Sequence, residues 1–512
     1  MVPRMAVRIF DTIVVGAGAS GAVVAARVTE RSDRDVLLLE AGPDYPDLAL
    51  LREDLRDGTR NSYKLHDWGY THRPNSQQRL VFPLPRGKVV GGSSAVNTCI
   101  ALRGVPSDYD EWAARALPEW TFANCLPAFK RLENDLDIRN EWHGQDGPVP
   151  LRRHTPEELV PWQRAFMEAA RELGFPRCDD HNAPDARGYG PHAMNKIDGV
   201  RMSAARCYLT PSVRARPNFT LRPETLVRRV LFEQRRAIGV EVETRGRIEV
   251  VRARRVVLCA GAIATPGVLL RSGVGPRAIV ERLGVVPVSD VRAVGAQLLD
   301  HPGFAFFLVP RRGVSDARHP IIQTALRFRT SKSAHENDGQ IQAGSFVMLP
   351  SVNLPLVSVM GQVGKPRGRG RIEYSSANPH ARPVIHSQLL DDPDDRATAV
   401  EVLQVALECA RSAPMRALAP TILWPPERVL ARKDSLDRWI RTVNDSGYHP
   451  CGTVPMGADD DREAATDQYG RVRGVEGLYV ADASLMPTVP TGNIHIPVLM
   501  MGERFGEWPA AA

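Results

Sequence analysis

A chain of 512 residues with 43% hydrophobic and 24% charged side chains has the composition of a globular protein with a large core, which sets aside disordered and fibrous classes, and its length allows about three domains. The net charge of +7 is carried almost wholly by scattered arginines; the densest group, residues 365–371 (KPRGRGR), is broken by glycine and has no interleaved aromatics, so it reads as a solvated loop or strand start and not as a nucleic-acid platform. Seven cysteines, an odd number with no C-x-x-C pair, point to buried thiols in a reducing compartment and away from a disulfide framework or a metal site.

The N-terminus runs into a strand without the apolar stretch of a signal peptide, and no run reaches the ~18 apolar residues of a membrane helix, so the expected location is the cytoplasm. Ile13, Val14 and Val15 read as a buried parallel strand. Gly16, Gly18 and Gly21 follow in G-x-G-x-x-G spacing around Ala19 and Ser20, then an Ala-rich helix over residues 22–28, then a second apolar run, residues 36–39, that ends in Glu40 and Ala41. This βαβ pattern suits a dinucleotide. The first glycine permits the tight turn, the second lets backbone approach a pyrophosphate, and the third lets helix and strand pack closely. The helix N-terminus offers free N–H groups to the phosphates. Glu40 can accept hydrogen bonds from a ribose diol, which suits a ribose without a 2′-phosphate. The pattern alone leaves FAD and NAD both open.

Residues 44–85, rich in Pro, Asp, Asn and Arg, predict a long irregular excursion of the kind that lies over a ligand. Residues 86–97 (RGKVVGGSSAVN) then gather glycines, two serines and an asparagine in a loop. Its backbone N–H groups could wrap a pyrophosphate or a flavin edge, although an ordinary tight turn has the same composition.

At this loop the sequence resembles the glucose–methanol–choline (GMC) oxidoreductases. Residues 87–97 look like that family's first signature, and Arg103-Gly104 and residues 108–112 (DYDEW) continue the likeness. The family consists largely of FAD-dependent alcohol oxidases and dehydrogenases. Members that attach FAD covalently through histidine carry it just before the asparagine of this loop. Val96 stands there, so the resemblance implies FAD held non-covalently.

Farther on, residues 121–136 predict an amphipathic helix with Leu126, Phe129 and Leu132 on one face and Pro127 disturbing its first turns. Residues 157–173 predict a second, with Val160, Phe166, Ala169 and Leu173 as its stripe. Residues 202–218 resemble the family's return to the FAD domain. Residues 220–243 read as a β-hairpin turning at residues 234–236. In the family, the counterpart of Val227 meets the adenine through its backbone. Residues 254–259 form a strand that runs into Ala260, and residues 261–275 (GAIATPGVLLRSGVG) match the second family signature. A helix is expected to start near Thr265-Pro266, with Thr as the cap and Pro in the first turn. Asp300-His301-Pro302 continue the likeness, though Gln297 replaces the family's usual asparagine. Residues 304–431 carry no cofactor motif; residues 397–411 read as a helix, and Arg367-Gly368-Arg369 with residues 391–395 resemble the family's substrate domain.

The reactive candidates lie near the C-terminus. His449 sits in a loop (YHPCGT, residues 448–453), and His495 in a second, rigid loop (PTVPTGNIHIP, residues 487–497) that leads into a helix from Val498. Oxidation of an alcohol by a flavin needs a base within hydrogen-bond reach of the hydroxyl proton and a second group to aim the C–H bond. Histidine, with an ordinary pKa near ~6.5, is substantially neutral at working pH and suits the task. The family puts its main base at the position of His449 and a partner at that of His495. The resemblance also brings Arg86, Val90, Gly91, Gly92, Ser93 and Asn97 to the FAD, Asp482 to its ribityl chain or pyrophosphate, and Asn493 and Ile494 to its isoalloxazine ring. Cys451, two residues from His449, reads as structural, and the other eleven histidines, His301 and His386 among them, are left as ordinary side chains.

The resulting expectation is an α/β fold with a Rossmann-like FAD-binding domain, of the GMC and p-hydroxybenzoate-hydroxylase kind, and a substrate domain on a mostly antiparallel sheet. The first would be assembled from residues 1–150, 200–300 and 445–512, and the second from residues 151–199 and 301–444. The expected reaction oxidises a primary or secondary alcohol to the aldehyde or ketone, with hydride to the flavin and reoxidation by O2 or another acceptor. Rival readings are a flavin-containing cyanohydrin lyase, a light-driven decarboxylase, and an NAD-dependent dehydrogenase or non-catalytic nucleotide-binding module.

Overall fold

The structure, a computed structural model, describes residues 8–348 and 353–508. It begins with strand β1 (Ile9–Val15), helix α1 (Ala19–Val28) and strand β2 (Val36–Leu39). Helices α2 (Phe122–Leu132) and α3 (Pro161–Glu172) lead to β3 (Gly188–Pro191) and β4 (Phe219–Arg222). A hairpin, β5 (Thr225–Glu233) and β6 (Arg236–Thr244), is followed by β7 (Arg247–Leu258) and α4 (Gly261–Arg271). Strands β8 (Pro302–Val309), β9 (Thr324–Phe328), β10 (Gly339–Gly344) and β11 (Val357–Val363) come next. The chain ends through α5 (Pro393–Arg411), β12 (Thr421–Trp424), α6 (Lys433–Val443), β13 (Leu478–Val480) and α7 (His495–Glu507). Among the described residues no helix is long and apolar enough to cross a membrane.

Two large sheets organise these elements. In the first the order is β4-β2-β1-β7-β6-β5, with β13 also paired to β7. Strands β4, β2, β1, β7 and β13 run parallel, and the hairpin adds two antiparallel strands. Strands β1 and β2 are apolar runs because both faces of a parallel sheet are covered: Ile13, Val14 and residues 36–38 are fully buried. Helix α1 can lie against the sheet because a Cβ on Gly21 would stand 1.9 Å from the carbonyl oxygen of Gly16. Gly16 itself holds φ +99°, a conformation other residues rarely adopt.

The second sheet is antiparallel, in the order β12-β8-β11-β10-β9-β3. Its strands alternate. Phe304, Phe306, Leu308, Leu326, Ile341, Val357 and Val359 face a core formed with Trp162 and Phe166 of α3, Val402 and Leu403 of α5, and Trp439 and Ile440 of α6. The other face of this sheet is turned toward the C-terminal loops.

Several expected elements shift. Helix α2 ends at Leu132 and buries Cys125, Ala128 and Phe129; Leu126 is only half-buried. Helix α3 starts at Pro161 and buries Trp162 and Met167, while Leu173 lies beyond its end, 36% exposed. Thr220 belongs not to the hairpin but to β4, parallel to β2. The stretch over residues 44–85 is mostly irregular, but it carries a short helix, Glu53–Arg56, and the strands Thr71–Arg73 and Phe82–Pro83. Helix α4 starts at Gly261, four residues before the expected Thr265 cap, and α7 starts at His495 rather than Val498.

Candidate functional site

A continuous cavity of about 490 Å³ runs along the carboxyl ends of the first sheet's strands and is lined by residues from all three cofactor motifs. One end holds Glu40. Its Oε2 accepts from the Ala17 N–H at 3.0 Å and its Oε1 from the Gly42 N–H at 2.8 Å. Burial raises its pKa to about 7 against these two backbone donors. Beside it the first turn of α1, with Gly18 as N-cap and no side-chain cap, presents Gly18, Ala19 and Ser20 to the cavity. These N-terminal donors have no intrahelical partner, so they suit an anionic group. Ala41, Arg86, Gly92, Ser93, Asn97, Val227 and Ala260 also line the wall.

Gly21, Val90 and Gly91 do not reach the cavity. Gly21 packs against the turn, the Val90 N–H bonds the Pro43 carbonyl, and the Gly91 N–H bonds the Ala17 carbonyl at 2.7 Å. The loop's backbone donors at these two positions thus fasten it to the βαβ turn and to the segment after β2, and are not offered to a ligand.

Asp482 explains why α4 starts early. Its Oδ2 accepts from the Gly261 N–H at 2.8 Å and the Thr265 hydroxyl at 2.6 Å, while Oδ1 accepts from the Ser484 N–H and hydroxyl. A carboxylate from 221 residues away in sequence therefore caps the helix and lines the cavity. Pro266 then lies inside α4, where its missing N–H leaves the Ala262 carbonyl without its helical donor. The Thr453 hydroxyl takes that place at 2.6 Å and ties the His449 loop to α4.

The far end of the cavity holds His449, Asn493, Ile494 and His495. His449 and His495 thus line one space, although they stand on different elements: His449 on a loop, His495 at the first position of α7. Tyr448, just before His449, adopts φ +64°, and the Arg86 guanidinium holds that turn by donating to the Tyr448 carbonyl at 2.9 Å.

The imidazole of His449 is oriented by a residue left unassigned from sequence. His301 Nδ1 lies 2.9 Å from His449 Nδ1. The other nitrogen of His301, Nε2, faces the carbonyls of Gly364 at 3.0 Å and Pro490 at 3.1 Å. Carbonyls only accept, so Nε2 of His301 carries the proton and its Nδ1 is the acceptor. Nδ1 of His449 must then be the donor, which leaves Nε2 of His449 as the lone pair. That nitrogen lies 3.0 Å from Asn493 Nδ2, a donor. Partner chemistry alone assigns the tautomers of both rings. Asp300 fixes the two backbones, its Oδ1 accepting from the N–H of His301 at 2.8 Å and of His449 at 2.9 Å. Pro302, at the start of β8, pairs with Ser446, and so the two histidine-bearing segments leave the sheet side by side.

All three rings are held neutral. Burial, then the neighbouring His301 and Arg86, pushes His449 well below the ordinary histidine range. Burial takes His301 and His495 down to about 4. His495 Nε2 lies 3.4 Å from Asn195 Nδ2. Cys451 is a buried free thiol whose pKa burial raises well above the usual value, so the structural reading holds for it. Val96 lines the wall and offers no nucleophile.

The polar groups fit an extended dinucleotide: the Glu40 carboxylate at one end, an uncapped helix N-terminus where Gly18 offers no side chain, and Asn493 Oδ1 buried at the far end with no partner among the described residues. Fold and cavity together define a dinucleotide-binding oxidoreductase of the α/β class. Residues 10–303 match the N-terminal and residues 366–502 the C-terminal GMC oxidoreductase family profile, and the chain belongs to the GMC oxidoreductase family, whose members are FAD enzymes. It is 32% identical to an oxygen-dependent choline dehydrogenase of Vibrio vulnificus, over 97% of this chain and 93% of that one. It is 34% identical to a GMC-type oxidoreductase of Rhodococcus erythropolis, over 96% and 97%. Among solved structures, pyridoxine 4-oxidase from Mesorbium loti superposes with a TM-score of 0.89 at 28% identity, covering 97% of this chain and 98% of that one.

Proposed function

We propose that the protein oxidises a primary or secondary alcohol to the aldehyde or ketone with non-covalently held FAD. The observation that carries this reading is His449, neutral and oriented by His301, at the far end of a cavity suited to a dinucleotide. When bound, FAD supplies a hydride acceptor and is reoxidised by O2 or another acceptor. The protein's own part is the proton. His449 Nε2 is the base for the hydroxyl proton; Nδ1, bonded to His301, keeps the lone pair on Nε2, where it meets the Asn493 amide at the cavity wall and would be taken over by the substrate hydroxyl. His495 and Asn493 hold the hydroxyl so that only one C–H bond faces the cofactor. His301 is a positioning residue. A base whose pKa lies below the working pH is ready to accept a proton without first losing one.

The roles of Glu40 on the ribose and of the α1 N-terminus on the phosphates rest on the βαβ spacing, those of Gly92, Ser93 and Asn97 on the FAD and of Asp482 near its ribityl chain or pyrophosphate on the resemblance, and all of them on their shared cavity. We also retain the division into an FAD domain (residues 1–150, 200–300 and 445–512) and a substrate domain (residues 151–199 and 301–444). The first sheet draws its strands from three separated stretches of chain, which supports it. Seven free, buried cysteines support a reducing, cytoplasmic setting. The relatives named for choline and pyridoxine both act on molecules that carry an alcohol, which supports the reaction class.

The test is spectroscopic. The purified protein is expected to be yellow, to release FAD intact on denaturation, and to bleach when an alcohol is added without oxygen. A colourless protein, or a yellow one that cleaves cyanohydrins and is never bleached by any alcohol, would contradict the proposal.

A further inference from the structure

Lys365 opens the arginine-rich stretch of residues 365–371, which its composition places in solvent. Arg367, Arg369 and Arg371 are there, paired with surface carboxylates. Lys365 is not: its side chain is 6% exposed and turns inward. Its Nζ donates to Asp108 Oδ1 at 3.0 Å, to Glu111 Oε2 at 2.8 Å and to the Val489 carbonyl at 3.0 Å. These three contacts match the three N–H bonds of an ammonium.

Asp108, 2% exposed, stands in the first turn of the helix Pro106–Ala113, where its Oδ2 accepts from the Val105 N–H at 2.9 Å. The same oxygen accepts from the Thr491 N–H at 2.9 Å and the Thr491 hydroxyl at 2.8 Å. The ion pair thus grips the loop of residues 487–497 on both sides of Pro490. The carbonyl before it lies on the lysine, and the N–H after it on the aspartate. Pro490 is one of the two residues whose carbonyls meet His301 Nε2; the other is Gly364, the chain neighbour of Lys365. Lys365, Asp108 and Thr491 do not line the cavity, so they reach the chemistry only through what they hold.

What they hold decides a proton. With the proton of His301 on Nε2, its Nδ1 accepts, His449 donates from Nδ1, and the lone pair of His449 is on Nε2. With the proton on His301 Nδ1 every step reverses: His449 accepts at Nδ1 and carries its own proton on Nε2, where no base is left. Asn493 does not choose between these states, because its amide can turn to offer either Nδ2 or Oδ1 to His449. The two carbonyls do choose. The second state sets a lone pair of His301 against carbonyl oxygens at 3.0 and 3.1 Å, so it is disfavoured for as long as both stay in place.

Resting on the alcohol-oxidation reading for its effect on turnover, we propose that Lys365, with Asp108 and Thr491, is a positioning group for the proton transfer: it holds the Gly364 and Pro490 carbonyls on His301 Nε2 and so keeps the lone pair of His449 on Nε2. An ion pair with no access to the cavity thereby selects which nitrogen of a distant imidazole is basic.

The test is a double-mutant cycle on the FAD-loaded protein. Lys365→Met is expected to slow anaerobic bleaching by a good alcohol substrate about tenfold, the equivalent of one hydrogen bond, with the apparent Kd of that alcohol changed less than about twofold. In a His301→Leu background, where no carbonyl selects the tautomer, the same replacement should change the rate less than about twofold. A lysine that merely supports the loop would slow both backgrounds by the same factor; that result, or no slowing in either, would overturn the proposal. Thr491→Val removes one donor to Asp108 and strands no charge. It should follow the same pattern with a smaller factor, and it decides the matter if Lys365→Met does not fold. Nitrogen NMR of protein carrying isotope-labelled histidine reads the tautomers without turnover, with His301→Leu and His449→Gln assigning the two rings. The wild type should show the proton on Nε2 of His301 and on Nδ1 of His449, and Lys365→Met and Thr491→Val should mix these with the opposite tautomers. If no alcohol bleaches the flavin but the tautomers mix in the variants, the positioning role stands and the reaction assigned to the site falls. A wild type already mixed, or variants that stay unmixed, would overturn the positioning role whatever the reaction.

Discussion

Two buried histidines in this protein are driven in opposite directions, and the contrast explains what each can do. His449 meets another imidazole, an amide and a backbone anchor, and burial keeps it neutral. His143 is equally buried, yet its Nδ1 lies 2.6 Å from Glu133 and 3.0 Å from Asp135, and its Nε2 2.8 Å from Asp180. Burial alone would lower its pKa, but the hydrogen bonds to Asp135, Asp180 and Glu133 raise it to about 10. Glu133, Asp135 and His143 stand close enough to hold a metal ion, but their charges are already answered. Arg103 pairs with Glu133, and Arg153 with Asp135 and Asp180, so three cations meet three carboxylates. Carboxylate neighbours make a permanent cation that ties residues 103–180 together. Neutral neighbours leave His449 an uncharged imidazole whose Nε2 lone pair meets only the Asn493 amide.

The largest effect that would break this contrast is His143→Leu, expected to cost about 3–5 kcal/mol of stability, measured by urea unfolding, because it strands buried carboxylates. The same group sets a pH window. Its folded pKa lies above the unfolded value of ~6.5, so its contribution is complete below that pH and is lost as pH rises through about 10. His301 and His495, with folded values of about 4, act the other way: stability falls as pH drops from ~6.5 toward 4. The urea midpoint should therefore decline on both sides of neutrality, and His143→Leu should flatten the alkaline limb alone.

A smaller effect sharpens the other half. His301→Leu leaves His449 Nδ1 without its acceptor and frees the tautomer, and kcat/KM should fall about ten- to a hundredfold. His301→Asn, which keeps an acceptor, should recover part of that loss, as a purely packing role would not. Smaller again, Thr453→Val strips the donor from the Ala262 carbonyl inside α4 and should cost about 1–2 kcal/mol with FAD retained.

What could be read from sequence was local. The βαβ unit, Glu40 at its end and the helix after Ala260 follow from spacing and side-chain type within a few dozen residues. The family likeness carried His449, His495, Asp482 and Asn493 to one cavity. What escaped was set by distant contacts. The start of α4 moved because Asp482 caps it, and Pro266 is tolerated because Thr453 replaces its missing donor. His301 gave no sign of its role, since its segment meets that of His449 only through distant contacts, the Asp300 carboxylate that holds both backbones and the pairing of Pro302 with Ser446. Val90 and Gly91 sit in the right motif, but their donors turn inward, to the Pro43 carbonyl beyond β2 and the Ala17 carbonyl of the βαβ turn.

The central claim, that His449 Nε2 is held as a neutral base at the far end of the cavity proposed for FAD, is tested most directly by the rate of anaerobic flavin bleaching in His449→Gln. The account predicts a yellow protein whose bleaching by a good alcohol substrate is slowed about 10²–10⁴-fold. Bleaching at the wild-type rate would contradict it.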